Sequence, residues 1–188
     1  MKGLNKLRNI FNKGILSIYL IQLIFILTIY IILFFFPPEV TKISSKELIK
    51  YIDWFSIFIN NISTAFTIIF IGILTFGFFS TITYLFGLYM LILAIYTAFQ
   101  NSGSLLYSFS VIMVHGILEL IGIALAYYIS TISFRVLINK IYKKQIFHVE
   151  GFNKMVQLFL AMIVIFFISS LLESHMTPNI LKIIVRSL

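Results

Sequence analysis

The chain carries six carboxylates, three histidines and no cysteine, so its acid–base chemistry rests on few residues. The most telling are in Val114-His115-Gly116-Ile117-Leu118-Glu119, inside an apolar run otherwise free of charge. At about 100° per helical residue, His115 and Glu119 share a face. Gly122, Ala126, Ser130 and Ser133 fall on that face too, within a sector of roughly 80°. Leu118, Ile121, Leu125, Tyr127 and Tyr128 take the other faces. A carboxylate in the middle of a membrane helix costs about 2.5–3.5 kcal/mol on insertion scales, so it is neutralised, paired or reached by water. His115, one turn away, is the local partner to expect. Such a pair can relay a proton or ion, touch a substrate or lock two helices together. The plainer reading is a hydrogen-bonded pair that fixes the bundle. Glu173 with His175 is a second pair, at a helix end, where an end cap with snorkelling side chains is the plainer reading.

Other chemistries lack their residues. No His-Glu-x-x-His stands on a helix, no Gly-x-Ser-x-Gly elbow is present, and no phosphate-cradling Walker loop occurs. The expectation is no catalytic residue, no metal and no cofactor; if ATP is used, another chain supplies the site. Without cysteine there is no disulfide, no thiolate zinc site and no thiol nucleophile.

The elements that must position these residues are membrane spans. Of 188 residues, 61% are hydrophobic and 11% charged, and the mean hydropathy is +1.07. A soluble domain is nearer 45–50% apolar and about 25% charged. The composition predicts an all-α integral membrane bundle of about five helices, a single transmembrane domain over 14–178 behind a basic amino end at 1–13. The first span is Gly14–Phe36, read as uncleaved and stopped by Pro37-Pro38. Glu39–Asp53 is either an amphipathic helix at the membrane surface, beside Trp54, or a solvated loop. The second span runs Ile57–Phe79 and turns at Ser80–Thr81 into the third, Ile82–Phe99, with Gly72, Gly77 and Gly87 marking their facing region or kinks. Gln100–Ser104 is a turn. Leu105–Ile132 is long at about 1.5 Å per residue, so it either tilts strongly or breaks near Gly116 with a re-entrant half. Arg135–Lys154 is a basic loop. Met155–Leu172 is the last span, and 179–188 a short tail.

The net charge of +8 would point to nucleic acid in a soluble protein. Here the basic residues lie between spans and report topology, so the partners expected are the lipid bilayer and other membrane proteins, including further copies of the chain, and no nucleic acid. Five spans put the amino end and the Arg135–Lys154 loop on one side, with nine of the fourteen Lys and Arg residues. That side is the cytoplasmic one.

At His115-Gly116-x-x-Glu119, followed by the small residues Gly122 and Ala126, the chain resembles the stage II sporulation protein M family of multi-pass membrane proteins. Glu173 with Thr177-Pro178, and Asn60-Asn61 ahead of the second span, fit as well, so that the resemblance covers about 57–178. Val114 stands where members often have Pro, and Phe86-Gly87 where many have Asn-Gly. The resemblance implies a membrane subunit without enzymatic activity. The sporulation members anchor and scaffold an engulfment complex with two peptidoglycan-degrading partners. Others are encoded with circular bacteriocins, beside an ABC-type ATPase, and serve maturation, export or immunity. The resemblance does not choose between these groups.

The charge split predicts orientation. Reporter fusions after Lys144 should read cytoplasmic and fusions after Leu188 external; a cytoplasmic carboxyl end would overturn the five-span topology.

Overall fold

A computed structural model describes residues 13–35, 53–102 and 105–175, with the backbone alone at 13, 98, 101, 102 and 105–115. Its helices are α1 (Lys13–Phe35), α2 (Trp54–Leu74), α3 (Phe78–Ser102), α4 (Leu105–Ser130), α5 (Ile132–Tyr142) and α6 (Phe152–His175). No strand occurs among the described residues. Five stretches are long and apolar enough to cross a membrane: Gly14–Phe35, Trp54–Leu74, Phe78–Thr97, Gly116–Tyr142 and Phe152–His175. The protein is an all-α, multi-pass membrane bundle.

Helix α4 is its centre. It packs against α1, α2, α3 and most extensively α6. Leu120, Ala124, Leu125, Ala126, Tyr128, Ile129 and Ser130 are all buried, so from Leu120 to Ser130 the helix is enclosed on every side. By contrast, α1 leaves Leu16, Leu20, Ile21, Ile24 and Leu27 exposed, a face suited to acyl chains.

Lipid tails are as apolar as leucine, so helix association rests on close packing and interhelical hydrogen bonds. Glycine supplies the close packing at two points. A Cβ on Gly72 would come within 2.5 Å of Ser130 Cβ and 2.7 Å of Ser80 Oγ, which draws α2, α3 and α4 together. A Cβ on Gly122 would reach to 2.7 Å from the Phe166 ring, on α6. Gly116 is buried as well. Gly87, expected in the facing region of the hairpin, has nothing within 4 Å of a Cβ and takes no part in that packing.

Several boundaries differ from the sequence expectation. The α2–α3 turn lies at Thr75–Gly77, not at Ser80–Thr81. Phe76 (φ 51°) and Gly77 (φ 82°) are left-handed, and the Gly77 amide donates to Gly72 O at 2.7 Å, closing the helix in the manner of a Schellman turn. The Ser80 and Thr81 hydroxyls then donate back to Gly77 O, at 3.0 and 2.7 Å, within the first turn of α3. Helix α4 runs through Gly116 without a break. The interruption comes at Thr131, where Ser130 and Thr131 hydroxyls donate to Tyr127 O and Tyr128 O at 2.7 and 3.0 Å and compete for the last carbonyls. The expected basic loop is helical as far as Tyr142, and α6 already begins at Phe152. Asn139 holds the remaining loop against α5: its Oδ1 accepts from the Ile146 and Phe147 amides at 2.9 and 2.8 Å, and its Nδ2 donates to Phe147 O at 2.7 Å. The surface piece at 39–52, Gly103-Ser104, Thr177, Pro178 and the tail at 179–188 lie outside the described residues.

These glycines define a paired test. Gly72→Ala should lower thermal stability in detergent by about 1–3 kcal/mol, the usual cost of overpacking. Gly87→Ala should leave it within about 0.5 kcal/mol, as for an exposed substitution. Equal effects would mean that α2 and α4 are not in contact at Gly72.

Candidate functional site

Two contacts set the register of α2 on α4: Asn61 with Glu119, and Gly72 with Ser130. Eleven residues separate them on each helix, about 16 Å at 1.5 Å per residue, so the two helices run parallel in step. Asn61 shares its face of α2 with Ile57, Ala65, Ile68 and Gly72, four of the five buried residues of that helix. Helix α6 runs antiparallel to α4, with Phe166 over Gly122 and Glu173 against Glu119. Its buried face passes from Leu158, Met162 and Phe166 to the small polar residues Ser169, Ser170 and Ser174. The start of α2 is fixed on α6 by edge-on rings, Trp54 and Phe58 with Phe167 at 5.7 and 5.9 Å.

Three side chains from three helices therefore meet near one end of the bundle. Asn61 Nδ2 donates to Glu119 Oε1 at 2.5 Å. The Glu173 carboxyl lies within side-chain hydrogen-bonding reach of Glu119. A carboxylate only accepts, so a bond between two carboxyl groups exists only while one of them holds a proton. The cluster thus brings α2, α4 and α6 together at one point, with the Asn61 amide on Glu119 and the Glu173 carboxyl beside it. The described residues contain no group of three or more His, Cys, Asp or Glu that could take a metal ion.

The partners described for Glu119 come from other helices, where sequence reasoning looked to His115 on its own helix. The His115 side chain lies outside the described residues. His175 turns to its own helix end, with Nδ1 2.7 Å from Ser174 Oγ and 3.0 Å from Leu171 O. Gly122 and Ala126 are buried beside the cluster's helix contacts, and Ser130 meets Ser80 Oγ at 3.0 Å.

Two further polar groupings escaped the sequence reading. In mid-bundle, Tyr84 OH donates to Gln22 Oε1 at 2.9 Å and Gln22 Nε2 to Leu120 O at 3.4 Å, which joins α1, α3 and α4. Tyr84 stacks on Tyr127 at 4.5 Å, and the Tyr127 hydroxyl meets Thr81 Oγ1 at 2.9 Å. The available signal was Gln22, a lone amide in an apolar span. At the far end, Arg135 is buried and lies 4.0 Å over the Tyr128 ring. It donates to Tyr128 O at 2.7 Å, His148 O at 3.2 Å and Thr131 O at 3.4 Å, capping α4 and pinning the loop. Tyr128 OH donates to Glu150 at 3.2 Å, and Glu150 lies 3.3 Å from His148 Nε2.

The sequence model of the family described as Stage II sporulation protein M matches residues 20–178, well over half of the chain. The chain belongs to that family. No curated protein and no solved structure matches it.

The cluster makes a direct prediction for folding. Glu119→Gln, which still bonds to Asn61, should keep wild-type thermal stability, whereas Glu119→Leu and Asn61→Leu should each lower it. A double-mutant cycle of Asn61→Ala with Glu119→Ala should give a coupling of about 0.6 kcal/mol, at most about 1.7, the range for interhelical hydrogen bonds in membranes. Strict additivity would mean that the two side chains do not bond.

Proposed function

We propose that this member of the stage II sporulation protein M family is a non-catalytic subunit that scaffolds a larger membrane complex, with its amino end inside the cell. The observation that supports this best is where the buried polar groups go. Asn61, Glu119 and Glu173, then Gln22 and Tyr84, then Ser80 and Ser130 all bond from one helix to another. Polar side chains in lipid are costly, and here they serve to fix the relative positions of the helices. A rigid arrangement of spans is what an assembly platform needs. On this reading its partners are peptidoglycan-degrading proteins on the outer side, or further copies of the chain.

A second reading has its own support. The end of the bundle formed by α5 and the α5–α6 loop exposes Lys140, Lys143 and Lys144. That basic surface would suit docking by a separate ABC-type ATPase, as in maturation, export or immunity for a circular bacteriocin. A proton shared by the neighbouring carboxyls of Glu119 and Glu173 would then serve coupling.

Partner recovery separates the two. Purified from its native membrane in mild detergent, the chain should bring down another membrane-complex protein or itself, and show no ATPase or peptidase turnover of its own. Identification of a peptidoglycan hydrolase supports the first reading and of an ATPase the second. A stable monomer that turns over substrate would overturn both.

A further inference from the structure

The start of α1, the α2–α3 turn, the α4–α5 junction and the α5–α6 loop enclose a groove of about 520 Å³ at one end of the bundle. Its walls are mainly apolar, with Ile18, Phe78, Phe134 and Phe147 among them, and Tyr127 and Arg135 contribute polar atoms. Arg135 is the charged residue of this lining, and it is only 7% exposed. Its three described bonds go to main-chain carbonyls, and among the described residues no carboxylate forms an ion pair with it. The carboxylate of Glu150 is engaged by the Tyr128 hydroxyl and His148. A guanidinium has five N–H groups, so two remain after these bonds. The carbonyl end of α4 offsets about half a unit charge, and for the rest of this buried cation's charge the described residues supply no ion pair.

The surroundings indicate which anion would supply it. Phe76, Phe78, Phe134 and Phe147 are exposed at this end and suit acyl chains, and the exposed Tyr142 favours the membrane interface. Lys140, Lys143 and Lys144 are exposed on the same end and enrich anionic lipid nearby. We propose that the groove binds an anionic phospholipid, with an acyl chain against the apolar wall and the headgroup phosphate on Arg135. The site is distinct from the Asn61–Glu119–Glu173 cluster and independent of the scaffold reading.

The test uses the full chain in mild detergent, given equal amounts of phosphatidylglycerol and phosphatidylcholine with identical acyl chains. Retained lipid is measured by native mass spectrometry. Wild type should retain phosphatidylglycerol in preference. Arg135→Gln should lose about five-fold of that preference, the scale of one basic side chain's attraction to an anionic lipid. Phe147→Ala keeps the Asn139 main-chain bonds and the guanidinium but trims the wall, so it should retain less of either lipid. Inorganic phosphate should not displace the bound lipid. The assignment is overturned by equal retention of the two lipids, by displacement with inorganic phosphate, or by a folded Arg135→Gln that keeps the wild-type preference. Retention of neither lipid by wild type overturns it too. Should Arg135→Gln fail to fold, Phe147→Ala decides: undiminished retention there sinks the proposal.

Discussion

Inside a bilayer a polar group has no water to turn to, so each one must find its partner in the protein. That constraint organises the whole bundle around α4. At successive levels the helix meets Asn61 and Glu173, then Gln22 by way of Leu120 O, then Ser80 and Gly72, and finally the guanidinium of Arg135. Each level recruits different neighbours: α2 and α6, then α1 and α3, then α2 and α3, then α5. Apolar contact alone would let these helices slide, because leucine against leucine resembles leucine against lipid. Polar bonds at fixed heights prevent sliding. The matched spacing of Asn61–Glu119 and Gly72–Ser130 shows this most clearly, since two contacts in step fix both rotation and height of α2 on α4.

The elements were legible in the sequence because they depend on local runs. Charge-free stretches of sufficient length marked five spans, and a carboxylate within such a stretch marked Glu119 as unusual. The partners depend on folding and were not. Asn61 is 58 residues from Glu119, and Tyr84 is 62 from Gln22. A weaker signal for Asn61 did exist, since it stands four residues from both Ile57 and Ala65 and so on the buried face of α2. His115 drew attention by proximity along the chain, and its side chain lies outside the described residues.

Local chemistry also hid two boundaries. Leu74-Thr75-Phe76-Gly77-Phe78 continues the apolar run, and hydropathy alone passes straight over the turn. The stop is set by backbone geometry, with Phe76 left-handed and Gly77 closing the ring of hydrogen bonds. Arg135, Asn139 and Lys140 read as a solvated basic loop because charge and amide side chains usually face water. Here Arg135 and Asn139, four residues apart on α5, turn to main-chain carbonyls and amides and hold the short true loop in place.

Glu119 in mid-helix and Arg135 just past the end of α4 meet opposite electrostatic conditions, which explains their different partners. Arg135 follows the carbonyl end of α4, where the helix dipole favours a cation and unsatisfied carbonyls accept its N–H groups. That end accepts part of its N–H groups and offsets part of its charge. Glu119 lies fourteen residues into its helix, well past the first turn where the dipole would favour an anion. Its own helix offers no free amide, because every backbone N–H there is already committed. Donors must come from elsewhere, and they do: an amide from α2, and a carboxyl bond with α6. Glu119 is thus held by neighbouring helices, whereas Arg135 is held chiefly by the carbonyl end of α4. Changes in the packing of α2 or α6 will be felt at Glu119 long before they are felt at Arg135.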